Sequence, residues 1–268
     1  MTQRFGDRAA VVTGGAAGIG EAIVRRLASE GAYVSFCDID GTAGERLATS
    51  LGDRVVFRAI DVADGDALTA FVEEAAARHG RLDILCNNAG VSGRGTTLEI
   101  DLLFWRRVMA VDVEAAFLAS RAAIPHMRRT GGGAIVNTAS TAGLRGYLGM
   151  VAYSTAKAAV INYTRSLALD CAADGVRVNA VCPGLVDTAM TSVHRDDPAR
   201  RRAMLASIPL GRPAEAAEIA AVVAFLASDE ASYVTGCIMP VDGGTTAAVR
   251  ARRVGQCRRL TGARRGDC

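Results

Sequence analysis

Several things are missing from this chain, and each absence narrows what it can be. Its seven cysteines (Cys37, Cys86, Cys171, Cys182, Cys237, Cys257 and Cys268) are odd in number, and no two stand as Cys-x-x-Cys. That argues against a disulfide framework, a zinc ribbon and a dithiol redox motif. Several lie in apolar runs, where a free thiol behaves as a small hydrophobe, so a reducing, cytoplasmic setting is expected. The three histidines, His79, His126 and His194, are far apart and have no metal-ligand spacing, so no metal is expected. No stretch approaches the length of a membrane span. The charged opening, Met1-Thr-Gln-Arg-Phe-Gly-Asp-Arg8, has no long apolar segment behind it, so it does not read as a secretory leader. Internal repeats and an interdomain linker are also lacking.

What remains is a soluble globular composition, 50% hydrophobic and 22% charged over 268 residues, with ample material for one core. The net charge of +3 misleads. Residues 245–268 carry seven arginines (250, 252, 253, 258, 259, 264 and 265) and one acid, Asp267, so the body before them is net −3. A mildly acidic body gives no reason to expect nucleic-acid binding.

Along that body, short apolar runs alternate with amphipathic stretches. Strands are predicted at residues 9–13, 33–37, 55–57, 83–86, 134–140, 177–182 and 237–241. Helices are predicted at 21–30, 42–51, 64–79, 104–127, from 153 onward, and at 214–227. Near-continuous apolar strands alternating with helices mean a parallel sheet covered on both faces. The expected fold is therefore α/β: a single-domain, Rossmann-type doubly wound parallel sheet, spanning residues 1–244 and followed by a tail at 245–268. In such sheets ligands bind at the carboxyl ends of the strands. Gly14, Asp38, Asp61, Asn88, Ser140 and Pro183-Gly184 would all lie on that edge.

The first strand runs into Gly14-Gly-Ala-Ala-Gly18-Ile-Gly20 and then a helix. Glycines let the backbone approach a pyrophosphate, and the helix start offers free N–H groups and a positive dipole. The second strand ends at Asp38. A carboxylate there accepts hydrogen bonds from ribose hydroxyls and repels a 2′-phosphate, and neighbouring Ala17 and Ile39 supply no cation. NAD is accordingly preferred to NADP.

Farther on, Tyr153 and Lys157 stand four apart at the start of a helical pattern marked by Ala156, Val160, Tyr163 and Leu167. Phenol and ammonium then share a face. A nearby cation favours phenolate and draws a tyrosine down from its usual value near ~10, which makes a general acid/base. Ser140 ends the apolar run before them, where its hydroxyl is placed to hydrogen-bond a reacting oxygen.

These residues resemble the short-chain dehydrogenase/reductase family. The matching motifs are Thr13-Gly-x-x-x-Gly18-x-Gly20, Asn87-Asn-Ala-Gly90, Ser140 thirteen before Tyr153, Tyr153-x-x-x-Lys157, Pro183-Gly184 with Thr188, and Tyr233-Val-Thr-Gly with Val241-Asp-Gly-Gly. The likeness runs from about Phe5 to Gly244. It implies hydride transfer between NAD(H) and an alcohol/carbonyl pair. Tyr153 would exchange the proton with the substrate oxygen, Lys157 would acidify Tyr153 and hold the nicotinamide ribose, and Ser140 would bind the substrate oxygen. Ile19 would lie on the pyrophosphate turn with Gly14, Gly18 and Gly20. Asp61 and Val62 would face the adenine, Asn88 the adenosine-side ribose, and Val186 and Thr188 the nicotinamide carboxamide. The family is commonly tetrameric, and the apolar helices at 104–127 and from 153 suggest burial against symmetry copies. Removal of Tyr153 or Lys157 would have suggested a non-catalytic NAD-binding protein instead; both are present.

One departure stands out. The family usually has an asparagine, held to bind a water that links the lysine to solvent, where this chain reads Val111-Asp112-Val113. A carboxylate there would strengthen the lysine's hold on its proton and oppose phenolate formation. Substrate choice should fall to residues 91–103, 142–152 and 185–207. Ser92, Arg94, Leu144, Tyr147, Leu148 and Met150 suggest a mixed, fairly apolar pocket. The charged run from His194 to Arg202 reads as a solvated lid face or, alternatively, a dock for an acidic carrier protein. A secondary-alcohol dehydrogenase is the main expectation. The alternative is a ketoreductase like the 3-oxoacyl-(acyl-carrier-protein) reductases, which more often use NADP. The arginine-rich tail reads as disordered or as an anion-binding arm.

Overall fold

The apolar runs hydrogen-bond side by side into one parallel sheet whose inner strands are buried on both faces. The structure, a computed structural model, describes residues 3–189 and 198–248, without the side chains of 198–200. Its strands are β1 (Ala9–Thr13), β2 (Tyr33–Asp38), β3 (Val55–Ala59), β4 (Ile84–Asn87), β5 (Gly133–Thr138), β6 (Val176–Pro183) and β7 (Ile238–Val241). They form a seven-stranded sheet in the order β3-β2-β1-β4-β5-β6-β7, all pairs parallel. The order reverses between β1 and β4, with Val11 opposite Leu85. In doubly wound sheets that reversal opens a crevice for ligands.

The helices are α1 (Gly18–Ser29), α2 (Gly41–Leu51), α3 (Gly65–His79), α4 (Leu102–Met109), α5 (Ala115–Arg129), α6 (Thr141–Leu144), α7 (Val151–Cys171), α8 (Pro198–Ala206) and α9 (Ala216–Ala227). Strand alternation divides the core in two. Ala10 and Val12 of β1, Ile84 and Cys86 of β4, and Val136 of β5 pack with α1 and α9. Val11, Leu85 and Ile135, pointing the other way, pack with α3, α5 and α7. Aspartates cap three helices as their short acceptor side chains favour: Asp40 accepts from Ala43 N, Asp64 from Ala67 N and Asp101 from Phe104 N. The Asp101 cap is why α4 starts at residue 102, two positions before the apolar pattern does.

Two sequence expectations change. The helix expected over 104–127 is broken by a π-helical turn at Ala110–Glu114, with no glycine or proline to announce it. Its cause is tertiary: Asp112 at the turn's centre is drawn inward, and its Oδ1 accepts from Val91 N at 2.8 Å. Nor is α7 apolar all round, since Thr155, Asn162, Arg165 and Ser166 face outward. α5 and α7 are fastened to the sheet by a buried polar chain. Asn87 Nδ2 donates to Asn137 Oδ1 (2.9 Å) and Ser120 Oγ (3.1 Å), and Asn137 Nδ2 donates to Thr164 Oγ1 (2.9 Å).

Residues 245–248, where the tail begins, turn back on Asp242. Thr246 N donates to its Oδ2 at 2.7 Å, and Arg145 donates to the carbonyl of Thr245. Residues 249–268, and His194 with the rest of 190–197, lie outside the described residues. Among the described residues no helix is long and apolar enough to cross a membrane, and Cys37, Cys86, Cys171, Cys182 and Cys237 are all free thiols.

Candidate active site

The crevice floor is stitched where β1 and β4 end. Thr13 Oγ1 accepts from both Asn88 N (3.0 Å) and Ala89 N (3.1 Å). The Asn88 amide donates to Gly14 O at 3.0 Å and accepts from Thr138 Oγ1 at 3.3 Å. The glycine turn is thereby held against the β4 end with no room for side chains. Gly14 has φ +65°, and a Cβ there would lie 2.8 Å from Ala89 Cα. A Cβ on Gly20 would sit 1.8 Å from Gly14 O. The cradle is thus open backbone leading into the first turn of α1, the arrangement that receives a diphosphate.

Asp38, at the end of β2, is oriented by two backbone donors. Its Oδ2 accepts from Ala16 N at 2.9 Å and its Oδ1 from Asp40 N at 3.1 Å. Each carboxylate oxygen keeps further acceptor capacity for a hydroxyl. Across the crevice, the segment after β6 reaches back to the turn. Thr188 Cγ2 lies 3.2 Å from where a Gly18 Cβ would be, and Val186 is buried in a bridge to Ala214.

The catalytic end is built on α7. Lys157 is buried, and its Nζ donates to Thr138 O at 3.0 Å. It also stands 3.0 Å from Asp112 Oδ2, in a pair whose side chains are 4% and 0% exposed. That contact is a charge pair, and Asp112 Oδ2 has no hydrogen-bond partner. Carboxylate and ammonium are thus in direct contact. Burial pushes Lys157 down, but Asp112, with Tyr153 beside it, outweighs burial and holds the ammonium above its ordinary value. Nζ lies 5.7 Å from the centre of the Tyr153 ring. An ammonium has three donors; one is hydrogen-bonded to Thr138 O, which leaves donor capacity for the groove beside the Asp112 contact. Ser140 caps α6, its Oγ accepting from Ala142 N at 3.1 Å, which leaves its own hydrogen available. Cys182 is close by, but burial pushes its thiol up to about 11, so it remains a neutral wall.

At the opposite end, Asp61 Oδ1 accepts from Ala63 N at 3.0 Å and Oδ2 from Arg107 Nη1 at 2.8 Å. The Arg107 hydrogen bond holds the Asp61 carboxyl below the usual carboxylate range.

Gly14, Gly18, Ile19, Asp38, Asp61, Val62, Asn88, Ser140, Tyr153, Lys157, Val186 and Thr188 line one groove of about 410 Å³. Gly20 packs beneath the turn, and Asp112 lies behind Lys157. Sequence reasoning missed Arg107, one of two adjacent arginines on α4 that spacing alone cannot separate. It also missed the Thr138 carbonyl that fixes the lysine. One available signal went unread: Lys157 is the sole lysine in the chain. Among the described residues no cluster of His, Cys, Asp or Glu could hold a metal.

A parallel α/β sheet with a glycine cradle at its switch point, a carboxylate at the end of β2 and a Tyr/Lys pair in the same groove suits a dinucleotide-dependent oxidoreductase. The comparisons agree. A family profile described as enoyl-(acyl carrier protein) reductase matches residues 14–246. The chain is 46% identical to meso-2,3-butanediol dehydrogenase of Serratia marcescens, over 91% of this chain and 97% of the relative. It is 44% identical to cis-4-hydroxycyclohexanecarboxylate dehydrogenase of Sinomonas cyclohexanicum, over 92% and 100%. The crystal structure of levodione reductase superposes with a TM-score of 0.87 at 36% identity, covering 91% of this chain and 99% of that one. The chain belongs to the short-chain dehydrogenase/reductase family. It is an enzyme of alcohol–carbonyl interconversion that works with a nicotinamide cofactor.

Proposed function

We propose that the chain interconverts a secondary alcohol and its ketone with NAD as the preferred cofactor. The observation that carries this reading is the buried Lys157 ammonium at one end of a groove that Asp38 borders at the other. The bound dinucleotide supplies the nicotinamide ring that takes or gives the hydride. Gly14, Gly18, Ile19 and Gly20 would hold its diphosphate. Asp38 would hold its adenosine ribose and repel a 2′-phosphate. Asp61 and Val62 would face the adenine, Asn88 would lie against the adenosine-side ribose, and Val186 and Thr188 would hold the carboxamide.

The reacting oxygen is handled by this chain's own side chains. The Tyr153 phenol passes a proton to it in reduction and removes one in oxidation. Ser140, with its hydrogen free, donates to the same oxygen and fixes its position. Lys157 presents donor capacity to the groove, where it would hold the nicotinamide ribose. Asp112 acts as a positioning residue that anchors Lys157.

We read the protein as a cytoplasmic homotetramer. Its free thiols suit a reducing compartment. The 47%-exposed Phe117 on α5 and 81%-exposed Leu169 on α7 suit a face against a second copy.

The deciding assay is initial rates with NAD or NADP across secondary alcohols, including butane-2,3-diol and 4-hydroxycyclohexanecarboxylate, set against NADPH with an acetoacetyl thioester. Turnover with NAD and secondary alcohols is expected. Turnover confined to NADPH and the thioester would replace this reading with a carrier-linked ketoreductase. Cofactor binding without turnover of any substrate would leave a non-catalytic binding protein.

A further inference from the structure

The link between Arg145 and Thr245 is a contact for which the proposed chemistry has no use. Arg145 follows α6, five residues beyond Ser140 at the end of β5, and its guanidinium donates to the carbonyl of Thr245 in the turn after β7. β6 lies between β5 and β7 in the sheet. The link therefore runs past the carboxyl end of β6, where Pro183 and Gly184 line the groove. The turn that it reaches is held from within. Asp242 Oδ1 accepts from Gly244 N at 2.9 Å and Oδ2 from Thr246 N at 2.7 Å. Leu210 N donates to Gly243 O at 3.1 Å. A Cβ on Gly184 would lie 2.9 Å from Asp242 Cα, so the turn packs on a groove-lining residue with no room for a methyl group.

The loop that carries Arg145 leads into α7 and so to Tyr153. On its other side Gly95 N donates to Gly149 O at 2.8 Å, and Gly95 and Met150 form a bridge. Residues 145–150 thus hang between two tethers, one to the 91–103 segment and one to the turn after β7. The first is backbone to backbone; the second depends on a single exposed side chain. We propose that Arg145 is a specificity-determining residue: by tying the loop before α7 to the turn at Asp242–Thr246, it makes that turn an outer wall of the substrate pocket and limits the size of the alcohol that reaches Tyr153. This rests on the reading that Ser140 and Tyr153 hold the substrate oxygen. It adds a wall to the three segments expected to choose the substrate, since residues 242–246 belong to none of them.

Initial rates with NAD or NADP on a series of secondary alcohols, from butan-2-ol to 4-tert-butylcyclohexanol, test this. Arg145→Met removes the donors and keeps an unbranched side chain. It should shift the ratio of kcat/KM between the largest and smallest alcohols by about tenfold toward the largest, the scale of one charged hydrogen bond. The shift should lie in KM, with cofactor affinity unchanged in a calorimetric titration. Asp242→Ala loosens the turn from within and should move the ratio the same way. The double variant should move it no further than the larger single change, as two breaks in one tie do. An unchanged ratio in Arg145→Met, an equal loss for every alcohol, or full additivity of the two changes overturns the proposal. Wild-type protein that turns over no member of the series overturns the parent reading as well, and so the two failures are told apart.

Discussion

The groove has a carboxylate–cation pair at each end, and the two live under opposite conditions. Asp112 and Lys157 are 3.0 Å apart with side chains 0% and 4% exposed; Asp61 and Arg107 are 2.8 Å apart with both at 39%. The distances are nearly equal, so water makes the difference. A buried pair interacts strongly, and each member depends on the other because neither can be solvated. A half-exposed pair is screened, and each member can turn to water or to a ligand. The inner pair therefore fixes the lysine in place by charge, and the outer pair stays in contact with solvent.

The largest effect should come from the inner end's reacting group. Tyr153→Phe should lower kcat by about 10²- to 10⁴-fold, the worth of a positioned acid/base, with cofactor affinity retained in a binding titration. Near-normal turnover would remove Tyr153 from the chemistry.

Next is the dependence within the inner pair. Lys157→Met strands a buried carboxylate and should destabilise the fold by about 3–5 kcal/mol in urea unfolding. Adding Asp112→Asn should recover more than half of that loss, a coupling a double-mutant cycle reads directly. If the second change recovers nothing, the two residues are not coupled.

A smaller effect is a shift in pH. Lys157 is held above its ordinary value, so the stability from its charged form is present below about 10.4 and lost as pH rises through the raised value. Asp112→Asn removes the main raising influence and leaves burial, which lowers. Both the Lys157 titration and the alkaline limb of kcat should move to lower pH. Because Lys157 is the sole lysine, labelled-lysine NMR gives one side-chain resonance to follow. An unmoved resonance would detach Asp112 from the lysine's ionisation.

The smallest belongs to the outer pair. Arg107→Met should change unfolding stability by less than about 1 kcal/mol, as screened pairs do. A loss as large as that of Lys157→Met would erase the contrast between the two ends.

Much of this was legible in the chain before any coordinates. Period and composition disclosed the strands and most helices, because burial on both faces of a sheet forces continuous apolar runs. Asp64 acted as the cap its chemistry favours. The π turn at Ala110–Glu114 was not legible. It answers to a hydrogen bond between Asp112 and Val91, which lie 21 residues apart, and no local pattern encodes such a partner. Arg107 was hidden for the same reason: a helix repeat places a charge on a face but does not say what faces it.

The sequence by itself determined the alternation of elements, the glycine cradle, Asp38 at a strand end, and a phenol and an amine on one helical face, since all of these follow from local geometry and spacing. Only the tertiary structure decided that the lysine's partner is a carboxylate in direct contact. Only it decided that Arg107 enters the groove beside Asp61. Both are contacts between segments far apart in the chain, and their strength depends on how completely folding excludes water from them.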